Sequence, residues 1–164
     1  MNKAIEKEKN MENKMFCYQC EQTAGCTGCT GNAGVCGKSA NTARLQDELT
    51  GALIGLARAV EGNEHLVNEE MNQLVLEGLF TTVTNVNFND ETLKILIYKI
   101  ENAKKKLVPN CFTCSGSCGR NDNFDMNTLW TTDEDVRSLK SLILFGIRGM
   151  AAYAYHASVL GYTD

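Results

Sequence analysis

The spacing of apolar residues predicts that most of the chain is helical. After residue 40, leucine and valine recur three and four positions apart, which places them on one face of an α-helix. The members of this stripe are Leu45, Leu49, Leu53, Leu56 and Val60. Ser39 or Asn41 can cap the N-terminus of this helix. Gly62 and Asn63 are suitable terminators, so we predict a first helix that ends near residue 60.

Two further helices are predicted by the same kind of stripe. One covers residues 64–80. Residues 81–87 are β-branched and alternate weakly, and since a lone strand has no partner we expect an extended connection there. The next helix is predicted to start at the Asn89–Asp90 cap and to end at Val108, because Pro109 disfavours the α conformation of the residue before it.

A long apolar segment near the end of the chain predicts the last helix. Thr132 is expected to cap it, and the acidic residues that follow complement the positive end of the helix dipole. From Val136 to Leu160 the apolar residues are nearly continuous, so this helix must be covered on more than one side. Gly161 offers a C-terminal cap. The pattern predicts an all-α bundle of about four helices, with the long final helix as its central member.

The segment from Cys17 to Gly37 lacks any such period. It holds five of the eight cysteines, with a glycine at every third position from Gly25 onward. Because it has no apolar stripe, it cannot fold by burying one face. A metal bound by thiolates can replace a hydrophobic core as the source of folding free energy. We therefore interpret residues 17–37 as a metal-binding loop.

Composition and charge narrow the class of protein. The 164 residues fit a single helical domain over residues 15–164, preceded by a charged segment, residues 1–14, that we interpret as a mobile tail. The net charge of −4 argues against binding of nucleic acid, which needs clustered Lys and Arg. We see neither an export signal nor a run long enough to span a membrane, and expect a cytoplasmic protein. In a reducing compartment this cysteine content points to metal or redox chemistry.

Three CxxC pairs carry the candidate chemistry, namely Cys17–Cys20, Cys26–Cys29 and Cys111–Cys114. Two thiolates with two residues between them can turn toward one metal. Spacing alone leaves open whether they hold zinc or an iron–sulfur cluster, or whether they are unligated or joined in disulfides. The CxxCxxxC segment, residues 111–118, either holds a second metal with Cys26 as the fourth ligand or consists of reduced surface cysteines.

Four segments near the start of the chain read FCYQCEQTA, GCT, GVCGK and LQDELTGALIGLA. They resemble the N-terminus of the hybrid cluster proteins, also called prismane proteins or hydroxylamine reductases. DEDVRSLKSLILFGIRGMAAYAYHASVLGY resembles the long helix that closes the first domain of that family. The resemblance implies an iron–sulfur cubane whose ligands are Cys17, Cys20, Cys29 and Cys36. The first two spacings match the family's short loop, which implies [4Fe–4S]; the additional residue before Cys36 leaves [2Fe–2S] as the alternative, and Cys26 as a substitute ligand.

The same resemblance implies electron transfer. The cluster would accept electrons from a small redox donor protein and pass them to a catalytic hybrid cluster that reduces hydroxylamine or nitric oxide. In the family that second cluster is held by residues of later domains, which we expect in the same or another chain. We interpret His156 as a core or helix-face residue, and Glu69 and Glu70 as a solvated helix face. With no nucleophile–base pair or nucleotide-binding loop, we expect no catalysis by this chain alone.

Two other interpretations stay open. The chain is a zinc-stabilised helical interaction module without redox activity, or it is a fragment whose remaining domains carry the reaction. Metal analysis separates the first of these from the iron–sulfur interpretation, since both use four thiolates.

Overall fold

The computed structural model describes residues 15–17, 19–20, 28–108 and 122–162. Within them lie five α-helices: α1 (Ala40–Val60), α2 (Glu69–Thr81), α3 (Asp90–Leu107), α4 (Met126–Trp130) and α5 (Glu134–Val159). The described part contains two isolated β-bridges and no extended strand. The predicted all-α fold is confirmed. The interpretations made for residues 1–14 and for Cys26, Cys111, Cys114 and Cys118 lie outside the described residues.

Helix α1 forms the centre of the bundle. The Ser39 side chain accepts a hydrogen bond from the backbone N–H of Thr42 at 3.0 Å, which confirms Ser39 as the cap. The predicted leucine stripe is buried, and α1 packs mainly against α3 and also against α2 and α4. Burial of one leucine side chain contributes about 1.5–3 kcal/mol, so this stripe supplies much of the stability. The main core consists of Leu45, Leu49, Ala52, Leu53, Leu56, Ala59, Met71, Leu74, Leu93, Leu96, Ile100, Ala103 and Leu107.

The second predicted helix starts later than expected. A short 3₁₀ helix covers Glu64–Leu66, and the backbone then becomes extended at Val67. Helix α2 begins only after Asn68, whose side chain accepts from the N–H of Met71 at 2.9 Å. The hydrogen bond made by the Asn68 side chain starts a new helix at this point instead of continuing one from residue 64. The spacing of apolar residues carries no information about this cap.

The connection from α2 to α3 is made of turns, so the prediction of an extended segment is wrong. The N–H of Val83 donates to the carbonyl oxygen of Phe80, the N–H of Val86 donates to that of Val83, and Asn85 has a φ of 64°. The predicted cap of α3 is confirmed, because the Asn89 side chain accepts from Glu91 and Thr92. Helix α3 ends at Leu107, as the following proline predicts.

The last helix differs from its prediction in two ways. Asp133, not Thr132, is the cap, since the Thr132 hydroxyl donates to the carbonyl oxygen of Leu129 at 2.8 Å and so closes α4. Helix α5 is also peripheral: it packs mainly against α2, and only Arg148 and Ala151 are buried along it. The apolar residues of α5 indicate that the helix packs against other structure, but they do not show whether it lies at the centre or at the edge of the bundle. Among the described helices, none is both long and apolar enough to cross a membrane.

Candidate metal centre

Two of the four predicted ligands, Cys17 and Cys29, lie opposite each other on paired backbone segments. The N–H of Cys17 donates to the carbonyl oxygen of Cys29 at 3.1 Å, and the reverse bond is 2.7 Å long. Residues that exchange both hydrogen bonds in an antiparallel pair carry their side chains on the same face. Met15 and Ala43 pack with this pair in a small second core. The pair is thereby held against the N-terminal end of α1.

Cys36 lies on the return of the loop toward α1. The N–H of Gly34 donates to the carbonyl oxygen of Lys38 and the N–H of Gly37 donates to that of Gly34, both at 2.8 Å. A Cβ atom at Gly34 would lie 3.3 Å from Cys36 Sγ and 3.2 Å from Met15 Cε. The sulfur of Cys36 and the Met15 side chain thus both lie against Gly34.

The structure does not assemble all four predicted ligands into one site. Cys17 is buried, Cys20 and Cys29 are half-buried, and Cys36 is exposed. Over the described ranges, no three His, Cys, Asp or Glu side chains are placed to hold a metal ion. The donor set nevertheless fits a thiolate-bound group, because four cysteines fall in one loop and one of them, Cys17, lies beside a buried positive charge.

That charge belongs to Lys38, which is 1% exposed. Its ammonium donates to Gln19 Oε1 at 2.9 Å, to Gln46 Oε1, and to Cys17 Sγ at 3.9 Å. We call Cys17, Gln19, Lys38 and Gln46 the Lys38 cluster. The Lys38 cluster was not predicted from the sequence, although Lys38 follows Cys36 closely, because a lone lysine is most often on the surface.

The two glutamines of the Lys38 cluster are fixed by further hydrogen bonds. Gln46 Nε2 donates to the carbonyl oxygen of Asn87 at 2.8 Å. Gln19 Nε2 donates to Asp47 Oδ1 at 3.3 Å, and the Thr84 hydroxyl donates to the carbonyl oxygen of Gln19 at 2.8 Å. The cysteine loop is consequently tied both to α1 and to the turns between α2 and α3.

A second buried cation, Arg148, comes from α5. Its Nε donates to Thr82 Oγ1 at 3.0 Å and one terminal nitrogen donates to Thr50 Oγ1 at 2.8 Å. The two hydroxyls in turn donate to the carbonyl oxygens of Leu79 and Gln46. Arg148 thereby joins α5 to α1 and to the end of α2, through a hydrogen-bond network that the apolar pattern could not reveal.

Burial dominates the electrostatics of this region. It raises the pKa of the Cys17 thiol, against the lowering effect of the Lys38 charge. Burial raises the pKa of Asp47 to about 6, although the hydrogen bond from Gln19 and the charge of Arg148 act in the opposite direction. Burial lowers the pKa of Arg148 to about 10. A thiolate at Cys17 therefore needs a positive partner, which is either a metal or a neighbouring cation.

The residues interpreted as structural are found on helix faces. His156 is exposed on α5 and packs edge-on against Phe80, with 5.2 Å between ring centroids. Glu69 and Glu70 are exposed, and Glu69 accepts a hydrogen bond from Gln73 at 3.0 Å. The structure gives none of the three a place near the cysteines.

Comparison with known proteins gives a consistent match. Residues 15–164 match the model of the Prismane/CO dehydrogenase family. The chain is 42% identical over 166 residues to a hydroxylamine reductase of Desulfovibrio desulfuricans, which covers 92% of this chain and 30% of the relative. It is 40% identical to hydroxylamine reductases of Methanocella arvoryzae and Clostridium novyi, covering 92% of this chain and 32% and 31% of theirs. The chain spans about a third of the length of these relatives.

Proposed function

The chain belongs to the Prismane/CO dehydrogenase family, and on this premise we propose that it is the iron–sulfur electron-transfer part of a hybrid cluster protein. Its cluster receives electrons from a redox donor protein and passes them to a catalytic hybrid cluster that reduces hydroxylamine or nitric oxide. One observation carries the proposal: Cys17 and Cys29 are paired with their side chains on the same face, and Cys17 lies beside the buried ammonium of Lys38. We propose that the reaction takes place in the cytoplasm, where reduced thiols persist.

The residues that would hold the cluster are Cys17, Cys20, Cys29 and Cys36. A [4Fe–4S] cluster is our choice and [2Fe–2S] the alternative; such a cluster supplies reversible one-electron transfer. The chain's own contribution is to hold and orient the thiolates. Cys17 is 8% exposed and packs with Met15 and Ala43, so these side chains keep water from one side of the site.

The partner that receives the electrons would dock on α5. This helix exposes an apolar face, with Leu142 at 70% and Tyr153 at 83% exposure. The other members of this α5 face are Val136, Leu139, Ile143, Ile147 and Met150. An apolar face this long is unusual on a protein without a partner. The relatives are about three times longer than this chain, so we propose that their remaining portion, carrying the catalytic cluster, is what covers it.

Anaerobic purification followed by iron, sulfide and zinc analysis tests the proposal. We expect iron and acid-labile sulfide in equal amounts, and a visible absorbance that dithionite bleaches. Electron paramagnetic resonance of the reduced protein separates [4Fe–4S] from [2Fe–2S]. Replacement of Cys17 or Cys29 by Ser should abolish the signal, whereas Cys26→Ser should keep it; loss of the signal in Cys26→Ser would make Cys26 a ligand. A colourless protein that holds zinc instead of iron would overturn the electron-transfer proposal.

The α5 face also favours a second candidate function, a zinc-stabilised interaction module without redox activity. In that case the cysteine loop serves only to stabilise the bundle, and α5 is the functional surface. The same metal analysis separates the two functions, because only one of them requires sulfide.

A further inference from the structure

We propose that Lys38 sets the reduction potential of the metal centre by placing a fixed positive charge behind the Cys17 thiolate. This inference rests on the proposed function, since it requires a thiolate-bound cluster in the loop. It goes further by naming a residue outside the cysteines that controls how readily the cluster accepts an electron.

Lys38 has no carboxylate within ion-pair distance in the described part of the chain; Asp47 is linked to it only through Gln19. A buried ammonium is costly unless it is paired, so a protein normally supplies a counter-charge. Within the described residues no ion pair involves Lys38, and its oxygen partners are the neutral amides of Gln19 and Gln46. Lys104 provides the contrast: it is 3% exposed and pairs with Glu101 Oε2 at 3.0 Å. The other partners of Lys38 are the ring of Phe88, whose centroid lies 5.7 Å from the ammonium, and the sulfur of Cys17; of these, only the sulfur can carry the counter-charge.

Neighbouring hydrogen bonds fix the direction in which the Lys38 ammonium points. Gln46 donates through Nε2 to Asn87, and Gln19 donates through Nε2 to Asp47, so each amide turns its oxygen toward Lys38. A lysine ammonium has three donors. Two of them are used by these oxygens, and the third is directed at Cys17 Sγ. The surrounding hydrogen bonds therefore hold the charge at the sulfur.

The effect on the potential has a definite sign. Reduction adds a negative charge to the cluster, and a nearby positive charge stabilises the reduced form more than the oxidised form. Hydrogen bonds to the cluster-binding sulfurs act in the same direction. Removing the ammonium should accordingly make the potential more negative. The charge acts without any proton transfer.

The decisive variant is Lys38→Met, which keeps an unbranched side chain one atom shorter and removes the charge. Lys104→Met is the matched control, because it removes a buried lysine that bonds to Glu101 and Asn123 and to none of the four predicted ligands. Each protein is purified with its cluster and titrated anaerobically, with the paramagnetic signal as readout. We expect at least a tenfold fall in the equilibrium constant for one-electron reduction in Lys38→Met, which corresponds to about 59 mV. Lys104→Met should lose stability but keep the potential.

A second variant covers the case in which Lys38→Met fails to fold. Gln46→Glu keeps the shape of the side chain and gives Lys38 a carboxylate, which offsets its charge at the cluster. The potential should again fall, and Lys38→Arg, which keeps the charge, should remain closer to the wild type. If both Gln46→Glu and any folded Lys38→Met match Lys104→Met, Lys38 has only a structural role and the inference is wrong.

Failure of the proposed function gives a different result. If the purified protein holds zinc and no iron, the electron-transfer proposal is lost. The inference is then wrong as well, because bound zinc undergoes no one-electron reduction whose potential Lys38 could set. A protein that holds iron and sulfide but has the same potential in Lys38→Met as in Lys104→Met overturns the inference alone and leaves the electron-transfer proposal standing.

Discussion

The carbonyl oxygen of Phe124 occupies the place where a Cβ atom at Gly51 would lie, well inside contact distance. The N–H of Phe124 also donates to the carbonyl oxygen of Gly51 at 3.1 Å. Helix α1 and the segment before α4 thus meet backbone to backbone. Only glycine permits this approach, because the obstructing atom belongs to main chain that cannot rotate away.

We expect Gly51→Ala to lower the free energy of unfolding by about 1–3 kcal/mol or more, since overpacking forces the backbone to move. Urea denaturation gives the measurement. Gly146→Ala is the matched control: its Cβ would meet no neighbour, and alanine favours a helix by up to about 1 kcal/mol over glycine. If the two substitutions change the free energy of unfolding alike, the carbonyl oxygen of Phe124 does not obstruct a Cβ atom at position 51.

Arg148→Met should destabilise the bundle by about 1–3 kcal/mol, because the hydroxyls of Thr50 and Thr82 each lose a buried donor. Thermal unfolding monitored by circular dichroism measures the loss. Arg44→Met removes a surface ion pair with Glu48 and should cost less than about 1 kcal/mol. Equal losses in the two variants would show that Arg148 does not join α5 to α1.

Asp47 should make stability depend on pH in an unusual direction. Its pKa is about 6 in the folded protein and near 3.8 when unperturbed, so between these values the folded state holds more protons than the unfolded state. The free energy of unfolding contributed by this group therefore falls as pH rises from about 4 to 6, and stays low above pH 6.

The Asp47→Asn variant lacks this fall. It should be more stable than the wild type above pH 6, by at most about 3 kcal/mol. Below pH 4 the free energies of unfolding of the two proteins should change with pH in the same way. Urea titrations at four pH values from 4 to 7 measure it. A stability difference that is the same at every pH would mean that Asp47 does not titrate with a raised pKa.

Substitutions on the α5 face should weaken association with the proposed catalytic portion without changing the stability of the fold. Leu142→Gln and Tyr153→Gln change side chains that are mostly exposed, so we expect effects on unfolding within about 0.5 kcal/mol. Association with the proposed catalytic portion, produced as a second polypeptide and followed by analytical ultracentrifugation, should weaken at least tenfold. Lys94→Gln, on the exposed face of α3, is the control and should associate like the wild type. Unchanged association in the α5 variants would place the docking surface elsewhere.

Local signals predicted much of the fold. The caps at Ser39 and Asn89 and the end of α3 follow from short sequence patterns whose physics is confined to a few residues. The start of α2 and the cap of α5 could not be predicted in this way. In each, a side chain could either continue a helix or hydrogen-bond to the backbone, and the pattern does not decide between the two.

The candidate site was predictable only in its cysteines. A thiolate loop is visible in the sequence because cysteine is rare and its spacing is informative. Lys38, Gln19 and Gln46 gave no comparable signal, since a polar residue is recognised as buried only when its tertiary partners are known. The position of α5 was predicted wrongly for a related reason: its apolar residues require a cover that the described part of the chain does not supply.

The exposed face of α5 would link the amount of this protein in the cell to the supply of the proposed catalytic portion that covers it. The helix has 26 residues and is about 39 Å long, so its apolar face resembles the surface of an incompletely folded chain. Chaperones and proteases select such surfaces. On the proposed function, copies made in excess of their partner would be removed by quality control, and the two parts of the proposed electron pathway would be kept in equal numbers without dedicated regulation.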